Sequence, residues 1–138
     1  DAFNLNAIEE DTVLKSGNLK IRFSSMTHPF KSFAISIENG DKRFVYSGDT
    51  SWNENIIEFS RGANLLMLDS GLLSKDKKSD NVPHLTAQEC GIVAKKAGAK
   101  KLLLTHIWPE YNVSDLISEA KAEFECVDVT RLMETYEV

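Results

Sequence analysis

Apolar positions along the chain keep two rhythms. In the first third, Leu19–Ser25, Phe33–Glu38 and Lys42–Ser47 are short runs rich in aromatic and β-branched residues, which predicts strands. Asn39-Gly40-Asp41 between the last two predicts a hairpin, because glycine takes up positive φ at little cost. The rhythm then lengthens. Trp52, Ile56 and Phe59 line one short helical face that Gly62 closes, whereas Asn64–Leu68 and Lys101–Thr105 are unbroken apolar runs, as expected of strands covered on both faces. Between those runs Thr86-Ala87-Gln88-Glu89 matches a capping box, in which hydroxyl and carboxylate each satisfy an orphan backbone donor. Leu85 and Cys90 stand where a hydrophobic staple would place them. Ala87, Cys90, Ala94 and Ala97 form a small-residue face, with Gly98 at the C-cap. Val113, Leu116, Ile117, Ala120 and Phe124 predict a last helix with Asn112 as N-cap. Glu125–Val129 and Leu132–Tyr136 predict closing strands. The class is α/β or α+β, with antiparallel strands first and helix–strand alternation after.

Composition narrows this picture without redirecting it. Hydrophobic content of 42% and charged content of 27% describe a soluble globular chain, and 138 residues suit a single unit spanning 1–138 or a piece of something larger. The net charge is −5, and the KDKK at 75–78 is too short for a nucleic-acid stripe, so any binding of polyanions is expected through a local site rather than by charge alone. Cys90 and Cys126 give neither a disulfide framework nor a CxxC motif and are expected to be reduced packing residues of a cytoplasmic protein. No run approaches the roughly 20 apolar residues of a membrane span, so no membrane partner is expected. The chain opens on Asp1 rather than Met, which suggests a processed or excised piece.

Chemistry collects where strands end. Asp49 follows FVYSG, Asp69 follows NLLML, His106 follows KLLLT, and His28 follows IRFSSMT just before Pro29. In open α/β sheets ligands gather beyond the carboxyl ends of strands. Singly, Asp49 reads equally as a turn residue, and His28, Asp69 and His106 as turn, capping or buried hydrogen-bonded residues. Together, imidazole and carboxylate suit zinc or a similar first-row ion. His84 differs in kind. It precedes the capping-box threonine at a helix N-terminus, where unpaired N–H groups favour an anion, and with Asp69 about fifteen residues upstream to hold it, it suits a general acid.

MTHPFKSFAISIE, RFVYSGDT, GANLLMLDSGL and HLTAQECGIVAKKAGAKKLLLTHIWPEY, in that order from about residue 19, resemble the second half of metallo-β-lactamase-fold hydrolases, especially the ribonuclease Z-like branch. The resemblance implies the C-terminal half of an αββα sandwich, a mixed sheet with helices on its outer face. It implies two Zn per complete domain, with Mn or Fe as alternatives: His28 on the first, Asp49 bridging both, His106 on the second. His84, backed by Asp69, is then the pair that protonates the leaving group, and a bridging hydroxide is the nucleophile. A phosphodiester is the bond broken in that branch, in RNA or a small substrate; lactams, thioesters or lactones serve elsewhere. The HxHxDH signature of the family does not occur in this chain, and neither does any HxH pair. Half of the domain is therefore expected to be missing, leaving each metal about two ligands where catalytic zinc has three. The chain alone is expected to bind metal weakly, to be inactive, and to self-associate through an uncovered apolar face. Asp69 stands where the branch has Glu, and His106 is followed by Ile-Trp-Pro-Glu-Tyr rather than a Ser-x-Arg-Tyr-like segment. A non-catalytic or degenerate binding module, or a lactonase- or thioesterase-type member, is the alternative.

Overall fold

The computed structural model describes residues 3–79 and 82–138. Seven strands form one sheet in strictly sequential order: β1 (Val13–Ser16), β2 (Leu19–Ser25), β3 (Phe33–Asn39), β4 (Lys42–Tyr46), β5 (Leu65–Asp69), β6 (Lys101–Thr105) and β7 (Val127–Val129). β1 to β4 pair antiparallel; β4 to β7 run parallel. The change coincides with the helices, because parallel neighbours need a crossover. α1 (Asn55–Phe59), α2 (Ala87–Ala97) and α3 (Val113–Lys121) supply the three crossovers. The order β-meander then β/α units is the mixed class expected.

The alternation of the strands decides which face the helices take. Ala34, Ser36, Val45, Leu66, Leu68, Leu102, Leu104, Val127 and Val129 share one face by register and are buried, most of them completely. Against them pack Ile56 and Ile57 of α1, Ala87, Cys90, Val93 and Ala94 of α2, and Leu116 and Ala120 of α3. A one-residue slip in β5 would exchange Leu66 and Leu68 for Leu65, Met67 and the Asp69 carboxylate on this core face, so the cost of burying an unpaired carboxylate pins the register. α2 begins at Thr86 with both capping-box bonds present, and Gly98 closes it.

The other face carries Ile21, Ile35, Ile37, Phe44, Leu65, Met67 and Leu103 and, among the described residues, has no helix on it. Residues 131–138, expected as a strand at Leu132–Tyr136, instead cross this face without pairing. The Tyr136 hydroxyl donates to the Val129 carbonyl and accepts from the Arg131 N–H, so it satisfies backbone groups that a strand would have paired. Tyr136 and Val138 line an apolar groove of about 360 Å³ with Ile37, Phe44, Leu65 and Met67. β1 was not expected: all four of its residues are exposed, so it shows no buried-face alternation. Cys90 is buried as expected, but Cys126 is exposed, because it sits just outside β7 and not within it. No helix among the described residues is long and apolar enough to cross a membrane.

Candidate metal centre

All five residues singled out above meet at the carboxyl end of the parallel strands. Asp69 is the last residue of β5 and shares the helix-free face with Leu65 and Met67. Its side chain is completely buried. One carboxylate oxygen takes the His84 Nδ1–H (2.8 Å) and the Thr50 N–H (3.1 Å); the other lies 3.2 Å from His106 Nδ1. Asp49 reaches the same His106 nitrogen, also at 3.2 Å, from its half-exposed loop. The rings of His84 and His106 meet edge to face with centroids 5.0 Å apart, and His28 stands 6.1 Å from His84.

Backbone bonds beyond the strand ends explain why these loops converge. The Ser47 N–H donates to the Met67 carbonyl and the Ser70 N–H to that of Thr105, so the ladder continues past the last paired residues. The Ser51 N–H and hydroxyl both donate to the Thr27 carbonyl, and the Ser32 hydroxyl to that of Asp49. These bonds tie the His28 and Asp49 loops together. The Asp69 amide is held by the Ser47 hydroxyl. His106 takes φ of 57°, an uncommon left-handed conformation for a non-glycine residue and one that clusters at functional sites.

Burial pushes the Asp69 carboxyl up from its ordinary value; the His84 bond, the Thr50 amide and the two imidazole charges pull it back. The Tyr46 phenol is raised by burial first, then by the charges of Asp49 and Asp69. The site is thus a carboxylate-rich edge that favours cations.

The donor set fits a divalent ion. Among the described residues Asp69, His84 and His106 bring one ligand atom each to within 4.8 Å of one another, a set that shares only His106 with the ligands the resemblance implies. Among the described residues no hydrogen bond engages Nε2 of any histidine, while His84 and His106 direct Nδ1 at carboxylates. That is the usual arrangement of metal-binding imidazoles, whose second nitrogen is oriented by an outer carboxylate. His28 is less ready: its Nδ1 accepts the Phe30 N–H at 3.2 Å, which puts the proton of the neutral ring on Nε2.

One expectation is overturned. The start of α2 offers no anion site, because its first-turn amides are already taken. The Ala87 N–H goes to the Leu72 carbonyl, that of Gln88 to Glu119, and that of Glu89 to the Thr86 hydroxyl. Sequence reasoning also passed over Ser32, Ser47, Thr50 and Ser51, whose hydroxyls and amides brace the loops; their only signal was small polar residues clustered beside strand ends.

A mixed sheet whose strand ends gather two aspartates and three histidines describes an α/β protein with a residue cluster suited to a divalent ion. The chain belongs to the β-lactamase superfamily: the model of the beta-lactamase superfamily domain matches residues 2–107. It is 36% identical over 119 residues to the probable metallo-hydrolase YhfI of Bacillus subtilis, covering 86% of this chain and 48% of the relative. It is 34% identical over 111 residues to ribonuclease Z of Pyrococcus abyssi, covering 80% and 33%. An uncharacterized protein of Mycobacterium tuberculosis, Rv1339, is 34% identical over 140 residues, covering 100% and 51%. The crystal structure of the metallo-beta-lactamase fold protein YhfI superposes with a TM-score of 0.83 at 34% identity, over 91% of this chain and 52% of that one. Human tRNase Z, short form, shares the fold, with a TM-score of 0.62 at 24% identity over 68% and 38%. The fold is that of the metallo-β-lactamases, and the chain spans about half the length of the YhfI and mycobacterial relatives and about a third of that of the ribonuclease Z.

Proposed function

We propose that this chain supplies one half of the active centre of a dinuclear metal-dependent phosphodiesterase, ribonuclease Z-like in its chemistry. The observation that carries the reading is Asp69, a completely buried carboxylate that faces His84 with one oxygen and His106 with the other. His28, Asp49 and His106 would hold divalent ions, with zinc first and manganese or iron as alternatives. Bound there, such ions supply Lewis acidity toward the phosphoryl group and bring water toward deprotonation near neutral pH. The chain's own residues do the rest. Asp69 holds the His84 Nδ1–H, which orients the ring and stabilises its protonated form; Nε2 then delivers a proton to the departing oxygen. Asp49 and Asp69 share the Nδ1 side of His106 and turn its Nε2 outward.

Completion of the site requires further ligands, since these residues give each of two ions only about two donors and catalytic zinc has three. We place that complement on the helix-free face, which Asp69 shares with Leu65 and Met67 of the apolar groove. This chain alone is then inactive, binds metal weakly and self-associates through that face. RNA or a small phosphodiester is the substrate, and a reducing cytoplasmic setting suits the two free thiols.

The test is metal analysis of the protein at its full natural length, with cleavage of bis(p-nitrophenyl) phosphate. About two ions per chain are expected, as in two-metal sites, with turnover abolished by Asp49→Ala and His84→Ala. A metal-free preparation would make it a binding module; lactone or thioester turnover without diester cleavage would move the chemistry elsewhere in the superfamily.

A further inference from the structure

His84 owes its place to a long segment with little structure of its own. Between β5 and α2 the described residues make a single 3-10 turn at Ser74–Asp76 and a one-residue bridge between Leu72 and Thr86. Yet the imidazole must return to Asp69 within hydrogen-bond distance, with its Cβ close enough that a methyl on Gly71 would stand 3.0 Å from it. Something must fix both ends of this loop.

We infer that Glu119, on the outer helix α3, is a positioning residue for His84: its carboxylate fastens both ends of the loop that carries the imidazole. The inference rests on the reading of His84 as proton donor. A single oxygen, Oε1, accepts the Ser74 N–H (3.0 Å), the Ser74 hydroxyl (2.9 Å) and the Gln88 N–H (3.0 Å); Oε2 lies 3.2 Å from the Ser74 amide. Ser74 opens the loop and Gln88 stands just past its end in the first turn of α2. The middle is pinned less centrally, by Lys77 to Glu89 (2.6 Å) and by the Tyr111 hydroxyl to Asp76 (2.9 Å). Hydrogen bonds to a charged acceptor are among the stronger ones, and here three converge from two distant segments. Without them the ends are joined by the Ala87 N–H to the Leu72 carbonyl and by the Ser74 hydroxyl near Thr86 Oγ1 (3.3 Å) and Gln88 Oε1 (3.2 Å), a looser tie. A shift of about 1 Å at His84 then takes its bond to Asp69 outside hydrogen-bond range.

The clamp is tested in the protein at its full natural length by Glu119→Ala and Glu119→Gln. The glutamine keeps an oxygen at Oε1 and therefore the three main bonds. Readouts are the NMR signal of the His84 Nδ1–H, identified by its loss in His84→Ala, tryptic cleavage after Lys75, Lys77 and Lys78, and the kcat and KM of diester cleavage. In E119A the signal disappears, cleavage accelerates about tenfold or more, and kcat falls roughly ten- to a hundredfold with KM little changed, the range a 1 Å misplacement produces. E119Q restores all three. Persistence of the His84 signal in E119A at an unchanged cleavage rate overturns the inference. If E119A does not fold, Ser74→Ala removes only the hydroxyl donor; it must move signal and cleavage in the same direction, and no change overturns the clamp. Absence of diester turnover in the unsubstituted protein would refute the proposed function, while the signal and the cleavage rates would still decide the clamp.

Discussion

Gly48 and Gly40 allow the close approach behind Asp49 to be weighed alone. Both take φ of +62°, so alanine at either pays the left-handed penalty, about 1–2 kcal/mol. Nothing lies within 4 Å of a methyl built on Gly40. A methyl on Gly48 would stand 2.7 Å from the Phe33 carbonyl oxygen and 3.0 Å from the Ser32 Oγ. The serine can rotate, but the carbonyl belongs to β3 and cannot leave without breaking its ladder. Overpacking of this kind adds about 1–3 kcal/mol, so Gly48→Ala should cost about 2–5 kcal/mol and Gly40→Ala only the first part. Urea unfolding followed by far-UV circular dichroism measures both; with m of roughly 1–3 kcal/mol/M the difference is about a molar in midpoint. Equal losses in the two variants, within about 0.5 kcal/mol, would refute the close-approach argument. Because Ser32 also holds the Asp49 carbonyl, G48A should in addition shift the Asp49 and His106 resonances, and G40A should not.

Three further outcomes are expected. In the folded chain a thiol reagent such as DTNB should label Cys126, which is exposed, and leave Cys90 untouched until urea is added, since burial pushes that thiol well above its ordinary pKa; two fast thiols would contradict the packing of α2. Thr86→Ala removes the hydroxyl that accepts the Glu89 N–H and should cost about 1 kcal/mol by urea unfolding, and Thr86→Ser should recover most of it. Deleting residues 131–138 uncovers the groove over Ile37, Phe44, Leu65 and Met67 and should raise the binding of the dye ANS and the sedimentation coefficient; unchanged values would mean the segment does not cover that face.

What could be read from residues alone was whatever is encoded locally. β2 and the capping box of α2 stand where pattern and chemistry place them, and the continuous apolar runs became the parallel strands covered by helices. The positions of His28, Asp49, Asp69 and His106 were legible because each terminates such a run. Two kinds of feature were not legible. β1 hides because a strand exposed on every residue has no period to show. Leu132–Tyr136 misleads in the other direction: Leu132 and Met133 are fully exposed, and the segment is held by one phenol and not by a ladder. The loss of the anion site at α2 was invisible for a different reason. It depends on Glu119, more than thirty residues away, taking the Gln88 amide, and on the Leu72 carbonyl taking that of Ala87.

The strictly sequential order of the sheet has a consequence for synthesis. Each strand pairs with the one made just before it, so every ladder can close as soon as its second strand emerges, without waiting for a distant segment. The candidate site residues appear in the same order, His28, Asp49, Asp69, His84 and His106, one or two per added layer. His106 is the last of them, and it follows β6 directly. A chain cut before that strand would lack β6, α3 and β7 and, with His106, the second imidazole nitrogen that faces Asp69.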